Sequence, residues 1–413
     1  MKRIFLWAAA LTATTMLTSC EEEDNPAPDN NESRAIELTR TESVLVNGNN
    51  DFAFNLFRLL RSETESQILS PISITYALGM LNNGASGETQ QQINEVLGFG
   101  DTGADGINAF CRKMLTEAPA LDKLTKIMIS NTIYMNKGYE LKPSFIEAAR
   151  AYYDAEPETR DFHDGKTADV INQWASDHTE KMIEKVVDDQ TFNTDAVSYL
   201  LNAIYFKGGW ANKFDPSETK EEVFNHAGGT EELTWRPMMH QEHRFMYTDN
   251  DLCQALTLPY GNNAYAMTIL LPHENKTIDD VIGTLTADSW QQDYLWMSPA
   301  TVDVKLPRFE IQSNHDLTGA MAALGMPKAF TDSAEFPDFC NVPTLIDQMM
   351  QVARIKLNEE GTEAAAVTVI TIVPTSYIPD PPHVEFHANR PFLYIISERS
   401  TGAIFFIGQY TGY

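Results

Sequence analysis

Two apolar periods alternate along the chain. Asn50-Asp51-Phe52-Ala53-Phe54-Asn55-Leu56-Phe57 sets apolar residues at helical spacing and predicts a helix. A second helix follows Ile68-Leu69. Ser70 suits its N-cap and Pro71 its first position; Ile74, Ala77, Leu78 and Leu81 fall at i, i+3, i+4 and i+7 before Gly84 closes the run. Ile127 to Met135 and Ser198 to Phe206 are instead apolar, aromatic and β-branched, which predicts central strands. Tyr265 to Pro272 and Val302 to Ile311 predict two further strands. Glu385 to Phe392, Leu393 to Ile396 and Ile404 to Gly408 complete the carboxyl end.

Residues Leu357 to Pro382, LNEEGTEAAAVTVITIVPTSYIPDPP, stand apart from both patterns. Seven consecutive β-branched residues, Val367 to Val373, favour one conformation, the extended strand. They are flanked by a glycine hinge at Gly361 and by the turn residues Pro374, Pro379, Pro381 and Pro382. Along one face the side chains start small (Thr362, Ala364, Ala366) and then grow (Thr368, Ile370, Ile372). A static strand has no need of such grading. A segment that slides into a closed sheet from one end does.

At the amino end, Lys2 and Arg3 precede an apolar stretch from Ile4 to Leu17 that ends in Leu17-Thr18-Ser19-Cys20. A basic region, a short apolar core and small residues before a cysteine read as a cleaved export signal, too short for a membrane span. The boundary resembles a bacterial lipobox, which makes Cys20 the lipidated first residue. Glu21-Glu22-Glu23-Asp24 resembles the acidic tag of lipoproteins sent to the outer face of the outer membrane in Bacteroides-type bacteria. The expected organisation is a signal peptide over residues 1–19, a lipidated, acidic, disordered tether over 20–42 and one folded domain over 43–413. The expected location is the bacterial outer membrane, exposed at the cell surface, with the lipid on Cys20 as anchor.

Charge and cysteine usage narrow the chemistry. The net charge is −28, and −30 once Lys2 and Arg3 leave with the signal, which argues against nucleic acid and heparin-type polyanions as partners. Cys111, Cys253 and Cys340 are widely spaced and odd in number, so they define neither a disulfide framework nor a metal site. His240 and His243 lack the glutamate placement of a zinc-protease motif. Ser217-Glu218-Thr219-Lys220 has a serine–lysine spacing but no companion motifs, and neither a nucleophile elbow nor a phosphate loop occurs. The expectation is a protein that is not an enzyme, with no catalytic residues, cofactor or metal.

Glu359-Glu360-Gly361-Thr362-Glu363-Ala364-Ala365-Ala366 resembles the proximal hinge of the serpins, serine protease inhibitors that trap proteases by conformational change. Other strings agree in order: Asn202-Ala203-Ile204-Tyr205-Phe206-Lys207-Gly208-Gly209-Trp210, and Phe386-His387-Ala388-Asn389-Arg390-Pro391-Phe392 near the end. Ile171-Asn172-Gln173-Trp174 and Thr179 to Ile183 resemble the helix that lies across the main sheet. The resemblance spans about residues 50–413. It implies an α+β serpin fold, about nine helices around three β-sheets, with a reactive-centre loop at about 361–382. It also implies a shutter at Ser70, Ser73 and Asn202, and a breach at Trp210, where Arg308 takes the place of a family lysine that pairs with Glu359. One departure stands out: where the family commonly has a shutter histidine bonded to the asparagine, this chain has Gln351. Glutamine still donates and accepts, but it does not titrate.

The resemblance further implies a monomeric suicide substrate of serine proteases. Fourteen residues beyond Gly361 stands Thr375, so the expected reactive bond is Thr375-Ser376, with Tyr377-Ile378 as the alternative. Thr375 is small and follows Val373-Pro374. That suits an elastase-like target with a shallow apolar pocket and disfavours a deep acidic one. The competing class is a non-inhibitory serpin that acts as a surface carrier or binding protein. Hinges of that kind carry bulky, charged or proline residues, whereas this one carries threonine and alanines.

Overall fold

The computed structural model describes residues 31–187, 192–226, 234–362 and 381–413, with the backbone alone at Asp101. The folded body runs from Glu32 to Tyr413. Among the described residues there are nine α-helices: α1 (Arg40–Leu60), α2 (Pro71–Asn82), α3 (Gly87–Val96), α4 (Gly103–Glu117), α5 (Pro143–Tyr153), α6 (Thr167–Asp177), α7 (Ile278–Ile282), α8 (Ala287–Ser289) and α9 (Thr318–Leu324). Thr39 starts α1 with a reciprocal capping box to Glu42. In α2, Pro71 takes the first turn, but the Ser70 side chain makes no cap bond. Its Oγ donates to the Phe405 carbonyl at 2.9 Å instead. Ser70 is fully buried, so its hydroxyl needs a partner within the protein, and this carbonyl supplies it.

Six strands make the main sheet, in the order β10 (Phe309–Asp316), β11 (Met350–Asn358), β12 (Gly361–Thr362), β4 (Ser198–Gly209), β2 (Thr125–Asn136) and β3 (Glu156–Arg160). Helix α2 lies beneath it. Over its outer face, Ile171 of α6 packs with Tyr134 of β2, flanked by Trp174 from α6 and by Tyr199 and Leu201 from β4. The other strands are β1 (Gln67–Leu69), β5 (Lys220–Phe224), β6 (Thr234–Asp249), β7 (Cys253–Pro259), β8 (Tyr265–Pro272), β9 (Ser298–Pro307), β13 (His383–His387), β14 (Phe392–Glu398) and β15 (Ile404–Tyr410). They form one nine-stranded network. Among the described residues the expected sheets are joined into two hydrogen-bonded networks, because the sixteen-residue β6 belongs to two sheets at once. It pairs with β5 and β9 along most of its length and with β7 over its last four residues.

Val302 to Ile311, expected as one strand, is two. β9 ends at Pro307 in the nine-stranded network, and β10 begins at Phe309 in the main sheet. Between them, the Arg308 amide donates to the Pro237 carbonyl, the last bond of the β6–β9 pairing before the chain crosses over. Apolar period alone does not show a chain that changes sheets mid-run. β8, β14 and β15 are buried along their whole length and carry the core under α1 and α2.

Candidate functional site

The site begins where β11 ends. Asn358, Glu359 and Glu360 turn the chain back, and Gly361-Thr362 enters the main sheet as a two-residue strand. It is antiparallel to β11 through Leu357↔Thr362 and to β4 through Thr362↔Gly208. Glycine is required at 361. Its φ is +148°, and a Cβ there would lie 2.1 Å from the Gly208 carbonyl oxygen. Gly208 is equally constrained, since its own Cβ would press on the Tyr260 ring at 2.9 Å. Thr362 is 2 % exposed, and its hydroxyl lies 2.6 Å from the Tyr260 hydroxyl. Burial pushes the Tyr260 phenol far above its usual range, so it stays neutral and available as a hydrogen-bond partner.

Trp210 holds the turn. Its ring stacks on Tyr260 at 4.6 Å, its indole N–H donates to the Asn358 carbonyl at 2.9 Å, and its amide donates to the Glu360 carbonyl. Glu359 is buried, and its Oε1 accepts from the Thr219 hydroxyl at 2.8 Å and lies 3.5 Å from Arg308. Glu360 pairs with Lys213 at 2.5 Å. Tyr260, Thr219 and Lys213 were not legible as site residues. They come from distant segments with no motif of their own.

Below Thr362 the sheet is parted. β4 pairs only with β2 and β12, and β11 only with β10 and β12, so no strand lies between Ser198–Lys207 and Met350–Lys356 among the described residues. A cavity of about 560 Å³ occupies the lower part of this gap, with Ser73, Ile74 and Ala77 of α2 in its floor and Trp174 of α6 above.

The polar residues at mid-sheet fall into two sets, one on each side of the gap. On the β11 side, Gln351 accepts from the Ser70 amide at 3.0 Å and donates to the Ser70 carbonyl at 2.8 Å. In the strand beside it, Ser313 accepts from the Ile68 amide, and His315, directly opposite Gln351, bonds to the Ile68 carbonyl at 2.8 Å. Burial lowers the His315 pKa below the usual histidine range, against the opposing effect of that bond. On the β4 side, Ser73 donates to Asn202, which donates to Asn131 at 2.7 Å. The family's histidine–asparagine contact has no counterpart between Gln351 and Asn202. The open gap separates them, and the Ser70 backbone satisfies both ends of the Gln351 amide.

Ser217 and Lys220 make no pair. The serine hydroxyl donates to Asp215 at 2.8 Å, and the lysine lies 3.5 Å from Glu218. Glu363, Ala364, Ala365, Ala366, Thr375, Ser376, Tyr377, Ile378 and Cys20 lie outside the described residues. Among the described residues no helix is long and apolar enough to cross a membrane.

The described residues form an α+β body whose main sheet is split below the two-residue strand Gly361-Thr362. The family description Serpin (serine protease inhibitor) matches residues 47–412, and the chain belongs to the serpin family. An uncharacterized serpin-like protein of Thermococcus kodakarensis is 32% identical over 375 residues, covering 89% of this chain and 85% of that one. Among solved structures, the thermophilic serpin tengpin in its native state superposes with a TM-score of 0.80 at 25% identity, covering 92% of this chain and 97% of its own. Human thyroxine-binding globulin complexed with its hormone superposes with a TM-score of 0.79 at 28% identity, covering 89% and 98%.

Proposed function

We propose that this chain is an inhibitory serpin, displayed on the bacterial surface by a lipid on Cys20, that traps elastase-like serine proteases covalently. The observation that carries the reading is the two-residue strand at Gly361-Thr362, seated at the head of an open slot. Segment 363–380 joins that strand to β13 in the other network, so it is tethered at both ends. Cleavage at Thr375-Ser376 would free the hinge side to continue down the slot.

The register supports the reading. Each step along the loop is one step back along both β4 and β11. Were the strand to continue from Thr362 in this register, Thr368 would stand opposite Asn202 and Gln351 together, on the face that looks toward α2. The inserted hydroxyl would then join the two polar sets that the gap now separates. About ten new strand residues, at ~0.5–1.5 kcal/mol of net hydrogen bonding each, amount to roughly ten kcal/mol. That matches a whole domain's stability of about 5–15 kcal/mol. It suffices to distort an attached protease, and it requires a metastable native state.

A second reading, a surface carrier or binding protein, draws on the likeness to thyroxine-binding globulin. One experiment separates the two: incubation with pancreatic elastase, denaturing electrophoresis and mass spectrometry of the released peptide. An inhibitor gives an SDS-stable complex and a fragment beginning at Ser376. The Thr362→Arg variant, whose guanidinium would be buried against Tyr260, should be cleaved without complex. Cleavage of the wild type with no complex for any elastase supports the carrier instead, and a fragment beginning at Ile378 moves the bond to Tyr377-Ile378.

A further inference from the structure

Near its head, the split sheet carries a row of lysines on its outer face, in a chain whose net charge is −28. Lys126 of β2 stands directly opposite Lys207 of β4. Like charges so placed are destabilising, and Glu180 relieves them by pairing with Lys126 at 2.5 Å. Its carboxyl is held below its usual range first by that bond and charge, with Lys207 adding to the effect. Across the gap, Lys356 of β11 is 54% exposed and stands opposite Glu310 at 4.0 Å. Glu310 is bound more closely by Arg354, so Lys356 has only the longer contact with it.

The register set by β12 places one residue between these two lysines. The position after Thr362 falls opposite Lys207 on one side and Lys356 on the other. Thr362 faces the core, so a residue that continued the strand would face outward, on the lysine side. The residue after Thr362 in the sequence is Glu363. The slot therefore has two cations at the point where the segment to enter it supplies a carboxylate, and the next three residues are alanines, which can offer no competing charge.

We infer that Lys207 and Lys356 are the receiving pair for Glu363, a latch that captures the loop at its first step beyond Thr362. The inference rests on the loop-insertion reading above and adds an electrostatic guide to it. Directly opposite strand residues hold their Cβ atoms about 4.5–5.5 Å apart, within reach of a glutamate between two lysines. Because insertion races against release of the captured protease, a latch at the first step favours trapping over turnover. It is also a feature that salt weakens.

The test uses the full-length protein and two acetylated peptides, EAAAVTVITIV (residues 363–373) and the same sequence with glutamine in first place. Binding is read from the shift in melting temperature across a peptide titration. The glutamate peptide should bind roughly threefold to tenfold more tightly, as two cross-strand ion pairs allow. The difference should vanish in Lys207→Gln/Lys356→Gln and shrink in 0.5 M salt. Equal binding of both peptides, a preference that survives in the lysine variant, or no binding by either overturns the inference. In parallel, Glu363→Gln should raise the moles of inhibitor consumed per mole of elastase by the same factor. A wild type that forms no complex while the peptide preference holds would sink the inhibitor reading and leave the latch standing.

Discussion

The side chain of Glu359 is 8% exposed, and its carboxylate accepts from Thr219 beside Arg308. A lysine at 359 would set a second cation against Arg308 and strand the Thr219 hydroxyl. Removing one partner of a buried pair costs about 3–5 kcal/mol. Arg308 is half exposed, so the lower end applies, roughly 2–3 kcal/mol after screening. Glu359→Lys should therefore melt several degrees lower and form oligomers on mild warming, as the turn above the slot loosens and β12 leaves it. Differential scanning and size-exclusion chromatography check this, and a monomer with the parent's melting temperature would contradict it. The hinge glutamates, Gly361 and Trp210 were legible because short motifs carry them. Tyr260 was not, since its role depends on stacking with a tryptophan fifty residues away in sequence.

The main sheet is two half-sheets tied separately to the start of α2, one at Ser70 and the other at Ser73. β10 and β11 are tied to β1 and the start of α2 through Ser313, His315 and Gln351, whereas β4 and β2 are tied through Asn202 and Asn131. Gln351 does not titrate, but the residue opposite it does. His315 is held neutral by burial, with its pKa below the ordinary value near 6.5. The unfolded chain therefore takes up a proton as the pH falls through about 6.5, while the folded chain resists it. Stability is full above that pH and declines below it, by at most about 1.4 kcal/mol per pH unit for one proton. His315→Gln, which keeps a donor for the Ile68 carbonyl, should flatten the fall in melting temperature between pH 7 and 5. A variant with the parent's full pH slope in that interval would show that other groups set it. Apolar patterning predicted β2, β4 and β8 because each carries a long apolar, β-branched run. It did not place the break at Pro307–Phe309, since β9 and β10 each bury an apolar face, in different sheets.

At the scale of the molecule, two features meet in one chain: a body whose main sheet is open between β4 and β11, and an amino end that we propose tethers it. Cys20→Ala should move the protein from washed outer membranes to the soluble fraction, because the lipid is the anchor the sequence offers. Retention of the variant would assign the anchoring to another segment. The sequence by itself determined the family and the order of the main elements and nominated a hinge and a bond, because all of these rest on local strings or local period. The tertiary structure alone decided that the sheet is split between β4 and β11 with Gly361-Thr362 already inside. It also decided that Gln351 turns to Ser70 rather than to Asn202, and that Lys207 and Lys356 frame one position of the slot. Register between strands far apart in sequence is set by the packing of the whole core, and no local pattern encodes it.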